Sequence, residues 1–123
     1  MSSFTTPLDV RHLNGKDWEL LEEFIYHVGE YPSKEVITIP AGFITDFASI
    51  PKLFWPIVGH PADIYGKAAI VHDFLYRTKR HKYTRKQSDK IFREGMKVSG
   101  VRFWKRSIMY NAVRLLGWMS WEK

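Results

Sequence analysis

An imidazole and a carboxylate stand side by side in an apolar, helix-favouring run, Ala68-Ala69-Ile70-Val71-His72-Asp73-Phe74-Leu75-Tyr76. On a helix His72 and Tyr76 are four residues apart and share a face, whereas Asp73 projects about 100° round the axis from His72. The two can flank one cleft, which suits a base next to a metal ligand. In the following helical stretch Asp89 falls on one stripe with Phe92 and Met96, at i, i+3 and i+7, so a carboxylate there wants partners. The segment 78–83 is long enough to reverse the chain, pack the two helices antiparallel and bring Asp89 towards His72 and Tyr76. A carboxylate accepting from His72 would fix its tautomer, leaving the other ring nitrogen to take a proton from water.

Asp46 and Asp73 supply two hard oxygen ligands from separate segments, and the irregular loop around Asp46 can also turn a backbone carbonyl towards a cation. That donor set favours Ca²⁺, which accepts carboxylates, carbonyls and water in flexible geometry. A zinc site built on His60, His72 and an aspartate is the weaker option, because zinc sites more often show further His or Cys at regular spacing. Plainer roles exist for the same residues. A His-Asp pair on a helix can be a structural hydrogen bond or a cap, Asp46 can cap a turn, Asp89 can answer a helix dipole, and Tyr76 can be core. No GxSxG elbow, P-loop or dinucleotide fingerprint offers another chemistry.

The elements that must position these residues come in two blocks. Residues 8–12 read as a strand followed by the turn dipeptide Asn14-Gly15, which predicts a hairpin. Trp18 to Val28 reads as a strand bent at Glu22-Glu23, and Glu35 to Ile39 as a β-branched strand stopped by Pro40. Phe43 to Pro51 reads as an ordered loop, and Pro51 to Val58 as one or two helical turns before Gly59-His60-Pro61. Three helices follow, at 62–77, at 85–98 with Thr84 as cap and Gly100 as stop, and at 103–116 closed by Gly117. Strands first and helices second predict an α+β fold, an N-terminal antiparallel sheet followed by a helical core. One domain is expected over 1–123, with a β-rich part at 8–40, a loop with a short helix at 41–61 and the helices at 62–118.

With 45% hydrophobic residues the chain can bury a substantial core, and its net charge of +6 favours anionic partners. The basic run from Arg77 to Lys86 could follow a phosphate backbone, but no reader helix or aromatic platform accompanies it, so nucleic acid is not the favoured partner. In the last helix and tail, Trp104, Trp118 and Trp121 beside Lys105, Arg106 and Arg114 suit a lipid–water interface, as they also suit core packing. No run is long and apolar enough to cross a bilayer, so a membrane would be met at its surface. The absence of cysteine and of signal-peptide features at Met1 to Pro7 predicts a cytoplasmic setting.

Two resemblances extend this picture. Thr45-Asp46-Phe47, then His72-Asp73-Phe74 with Tyr76-Arg77, then Asp89 with Phe92 and Met96-Lys97, then Tyr110, Ala112-Val113 and Gly117, look like the small prokaryotic secreted phospholipase A2 pattern in the same order. That resemblance covers the last two thirds of the chain. It implies a phospholipase A2-like core in which His72 is the general base, Asp89 orients it and Tyr76 hydrogen-bonds Asp89. It also implies that Asp73, Asp46 and the Phe47 carbonyl hold calcium. The expected activity is calcium-dependent hydrolysis of phospholipid acyl esters. The disulfide that ties loop to helix in those enzymes falls here on Ala48 and Ala69, and the strands at about 8–39 have no counterpart in them. The whole chain also resembles an uncharacterised family of bacteriophage and prophage proteins that share an AGF-TDFASIP segment, here Ala41 to Pro51, and an HDFLY segment. This implies a phage origin, with the host cytoplasm or a virion as the setting. It also leaves open a non-enzymatic accessory or assembly protein that binds a phage or host protein.

Overall fold

The computed structural model describes residues 3–4, 8–14, 17–29, 35–45, 56, 66–77, 83–119 and 121. Among the described residues the main elements are antiparallel strands followed by three helices, an α+β arrangement. Contacts divide the chain into two compact units, Met1–Asp46 and Phe47–Lys123.

The first unit holds two three-stranded antiparallel sheets. One has the order β1 (Ser3–Phe4), β4 (Phe24–His27), β5 (Val36–Ile39), and the other β2 (Val10–Asn14), β3 (Asp17–Leu20), β6 (Ile44–Thr45). β2 and β3 form the expected hairpin, but the strand runs to Asn14, which pairs with Asp17 and so is not part of the turn. Alternation decides what is buried, since a strand turns every second residue to one face. Phe24 pairs with Ile39 and Tyr26 with Ile37 across β4 and β5, and all four are buried. Phe4 adds its ring to those of Phe24 and Tyr26, with centroids 5.5 and 4.6 Å away.

Trp18 to Val28 is not one bent strand. Leu20 is the last residue of β3 and Phe24 the first of β4, and the two strands join different sheets. The break falls at the expected Glu22-Glu23; residues 21–23 are exposed, and the Leu21 N–H makes a last cross-strand bond to Asp9 O at 2.8 Å. Phe43 to Pro51 likewise opens with β6, which pairs Thr45 with Trp18, before it passes outside the described residues. The short helix expected within Pro51 to Val58 also lies outside them, apart from the exposed helical residue Pro56.

In the second unit, α1 (Gly66–Arg77) is a core helix in which only Lys67, Phe74 and Arg77 are not buried. Ala68, Ala69, Ile70, Val71 and Leu75 are all at most 2% exposed. α2 (Arg85–Val98) is amphipathic, burying Ser88, Asp89, Ile91, Phe92, Gly95 and Met96, and it packs against both α1 and α3 (Phe103–Leu116).

Both ends of α2 are fastened by local chemistry. Thr84 Oγ1 accepts from the Gln87 amide at 3.1 Å while Gln87 Oε1 accepts from the Thr84 amide at 2.9 Å, a reciprocal capping box. At the other end Gly100, with φ of +85°, takes the left-handed conformation. Its N–H then reaches Lys97 O at 3.1 Å and that of Val101 reaches Met96 O at 3.0 Å, the double closure of a Schellman motif. Thr84→Ala removes one half of the box and is expected to lower stability by about 1 kcal/mol, read from the midpoint of urea unfolding. An unchanged midpoint would mean that tertiary packing alone sets the start of α2.

Candidate functional site

The packing of α1 on α2 brings His72, Tyr76 and Asp89 together. Asp89 Oδ1 receives His72 Nε2 at 2.7 Å and the Tyr76 hydroxyl at 2.6 Å. Its Oδ2 receives Arg114 Nη1 from α3 at 2.7 Å, and Arg85 Nη1 stands 3.6 Å away as an ion pair. His72 and Asp89 are both 0% exposed. Ring packing fixes the imidazole, with centroids 4.1 Å from Tyr76 and 4.6 Å from Phe92, and the Trp121 ring meets Tyr76 edge-on at 5.1 Å.

Electrostatics follow from this geometry. Burial pushes the Asp89 carboxyl up, but the hydrogen bond and charge of His72, then the bonds from Tyr76 and Arg114, outweigh it and hold the group below its ordinary 3.8. Asp89 is therefore ionised at neutral pH, and Nε2 must be the protonated nitrogen of His72. Burial, followed by the charge of Asp89 and the bond to it, raises the Tyr76 pKa, so the phenol remains a neutral donor. The pairing is chemically that of a base held by an orienting carboxylate.

The remaining candidates are placed differently. Asp73 is buried, and its Oδ2 lies 3.1 Å from Nε of the more exposed Arg77, one turn further along α1. It offers hard oxygen, the donor type that calcium takes, but a bound cation would have to displace or share Arg77. Asp46 and Phe47, the other expected calcium ligands, lie outside the described residues, as does His60. Among the described residues no group of three or more His, Cys, Asp or Glu could hold a metal. A dipole role for Asp89 does not suit its place, because it sits in the second turn of α2 and not the first.

Three contributors escape the sequence pattern. Arg85 is the i−4 neighbour of Asp89 on α2, a helix pair that spacing can reveal. Its guanidinium also donates to the last-turn carbonyls of α3, Val113 O at 2.9 Å and Arg114 O at 3.2 Å. Arg114 reaches Asp89 only through tertiary packing, and nothing local marks it. Gly117 is more than a helix stop. Its backbone is ordinary, with φ of −64°, but a Cβ there would lie 2.5 Å from the Tyr76 hydroxyl and 3.2 Å from Arg85 Nη1.

Gly117→Ala is accordingly expected to push Tyr76 off Asp89 and to cost about 1–3 kcal/mol. Urea unfolding compared with Gly117→Ala in a Tyr76→Phe background checks this, because the penalty should shrink once the hydroxyl is gone. The lowered pKa of Asp89 also has a direction in pH. The unfolded carboxyl binds its proton first as pH falls, so the stabilisation is present above about pH 4 and is lost as pH drops through the lower folded value. Acid titration of unfolding should show Asp89→Asn with a flatter acid limb than wild type, and parallel limbs would contradict it.

Sequence comparison places these residues in a wider group. "Uncharacterized protein y4jT" of Sinorhizobium fredii is 40% identical over 80 residues, 64% of this chain and 23% of that protein. "Uncharacterized protein y4iH" of the same organism is 39% identical over 74 residues, 59% of this chain and 30% of that protein. The aligned part therefore spans less than a third of either relative. No solved structure matches the chain. The family described as "Protein of unknown function (DUF1353)" matches residues 18–113, which takes in His72, Asp73, Tyr76 and Asp89, and the chain belongs to that family.

Proposed function

We propose that the protein is a phage-derived, phospholipase A2-like hydrolase of phospholipid acyl esters that depends on calcium. The observation that carries this is the 2.7 Å contact from His72 Nε2 to an ionised, fully buried Asp89. With Nε2 committed to the carboxylate, Nδ1 is the nitrogen proposed to act as base. There His72 would take a proton from the water that attacks the ester carbonyl, and would return it to the leaving alkoxide. Asp89 stays ionised beside the imidazolium, and Tyr76 and Arg114 keep its two oxygens in place. Calcium, when bound, would polarise the ester carbonyl and stabilise the oxyanion. Asp73 is the described residue proposed to hold it, together with Asp46 and the Phe47 carbonyl. The cysteine-free sequence supports a host-cytoplasm setting, and the AGF-TDFASIP and HDFLY segments support the phage origin.

A second reading, a non-enzymatic phage accessory or assembly protein that retains the scaffold, is favoured by one specific observation. His72 is 0% exposed, and Arg77 already answers the charge of Asp73. Fatty-acid release from phospholipid vesicles separates the two readings. Wild type should release fatty acid with calcium and not with chelator, and His72→Ala should fall by at least about 10²-fold, the usual worth of a positioned base. Release that ignores both chelator and His72→Ala, or no release at all, would leave the scaffold reading standing.

A further inference from the structure

A second feature of the helical unit lies away from His72. Between α2 and α3 runs a groove of about 520 Å³ lined by Lys90, Arg93, Lys97 and Arg106, with Glu94 as the only carboxylate among its lining residues. Lys90, Arg93 and Lys97 recur at i, i+3 and i+7, so α2 presents them on one face. Phe103, 63% exposed, lines the same groove. Beyond it α3 carries Trp104 and Leu115, eleven residues apart and hence on one side of the helix, 50% and 72% exposed. Trp118, just past α3, is 53% exposed. Cations also sit on these rings, Arg106 over Phe103 at 5.4 Å and Lys105 over Trp104 at 5.6 Å.

We infer that the α2–α3 groove and the adjoining outer side of α3 form a docking surface for an anionic phospholipid bilayer, the groove taking lipid phosphates and the rings entering the headgroup region. Charge complementarity selects the partner, because four cations against one carboxylate match a layer of phosphates. The exposed Trp104, Leu115 and Trp118 select a bilayer over a free phosphate, since a small soluble anion gives them nothing to bury in. The choice of lipid rests on the hydrolase reading above and deepens it by naming the surface through which the protein would meet its substrate.

The test is co-sedimentation of the full wild-type chain with vesicles of phosphatidylcholine alone or mixed with phosphatidylglycerol, in chelator so that binding is read without turnover. Expected is binding to the mixed vesicles that weakens with salt and is at least tenfold tighter than to phosphatidylcholine. Each basic residue near an anionic surface is worth about fivefold, so Lys90→Glu with Lys97→Glu should lose at least about 25-fold. Trp104→Ala should weaken binding as well, and Lys90, Lys97 and Trp104 are all exposed, so circular dichroism should show these variants folded. Equal binding to both vesicle types, or charge reversal without effect, would overturn the inference. So would displacement by millimolar glycerol phosphate with no effect of Trp104→Ala, which would mark a small-anion site. Vesicle binding without hydrolysis by wild type would sink the enzyme and keep the surface, and hydrolysis of dispersed short-chain lipid without vesicle binding would do the reverse.

Discussion

The helical unit depends on one buried negative charge. A carboxylate removed from water must recover in the protein what it loses in hydration, and Asp89 does so with three hydrogen-bond donors and one further guanidinium, drawn from α1, α2 and α3. His72 and Tyr76 come from α1, Arg85 from its own helix and Arg114 from α3. Oδ1 accepts from the imidazole and the phenol, while Oδ2 accepts from Arg114 and has the Arg85 guanidinium as a nearby countercharge. Such a network tolerates little sliding, because displacing any one helix strands a charge.

The same convergence gives His72 properties that an isolated imidazole lacks. Its proton is assigned to Nε2, its ring plane is set by Tyr76 and Phe92, and its partner stays ionised. The two guanidinium groups also temper the pair. They share the negative charge that would otherwise act on the imidazole alone, so the carboxylate serves as an anchor for three helices as well as an orienter for one side chain.

Much of this was legible in the residues. The limits of α2 follow from Thr84 and Gly100, because caps and stops are local chemistry, whereas Gly117 keeps a right-handed backbone that continues into a 3-10 turn. The shared face of His72 and Tyr76, and the inward place of Asp89 beside Phe92 and Met96, follow from helix period. What stayed hidden required partners distant in sequence. The stretch from Trp18 to Val28 has strand-like residues throughout, and its division between two sheets is set by what β3 and β4 pair with, β2 and β6 against β1 and β5. Arg114 reads locally as a surface cation on a mixed helix, and only the packing of α3 on α2 turns it onto Asp89. Gly117 reads as a terminator, whereas its missing Cβ is what leaves room for a phenol.

Arg85 and Arg114 give α2 and α3 a fastening that runs in both directions. Arg85 of α2 holds the final carbonyls of α3, and Arg114 of α3 holds the carboxylate of α2. Small proteins often secure such a junction with sulfur, and this chain has no cysteine. A clasp made of guanidinium and carboxylate forms at the speed of side-chain motion, needs no oxidant or isomerase, and is indifferent to glutathione. The junction between the last two helices is thereby closed equally well in reducing and oxidising surroundings.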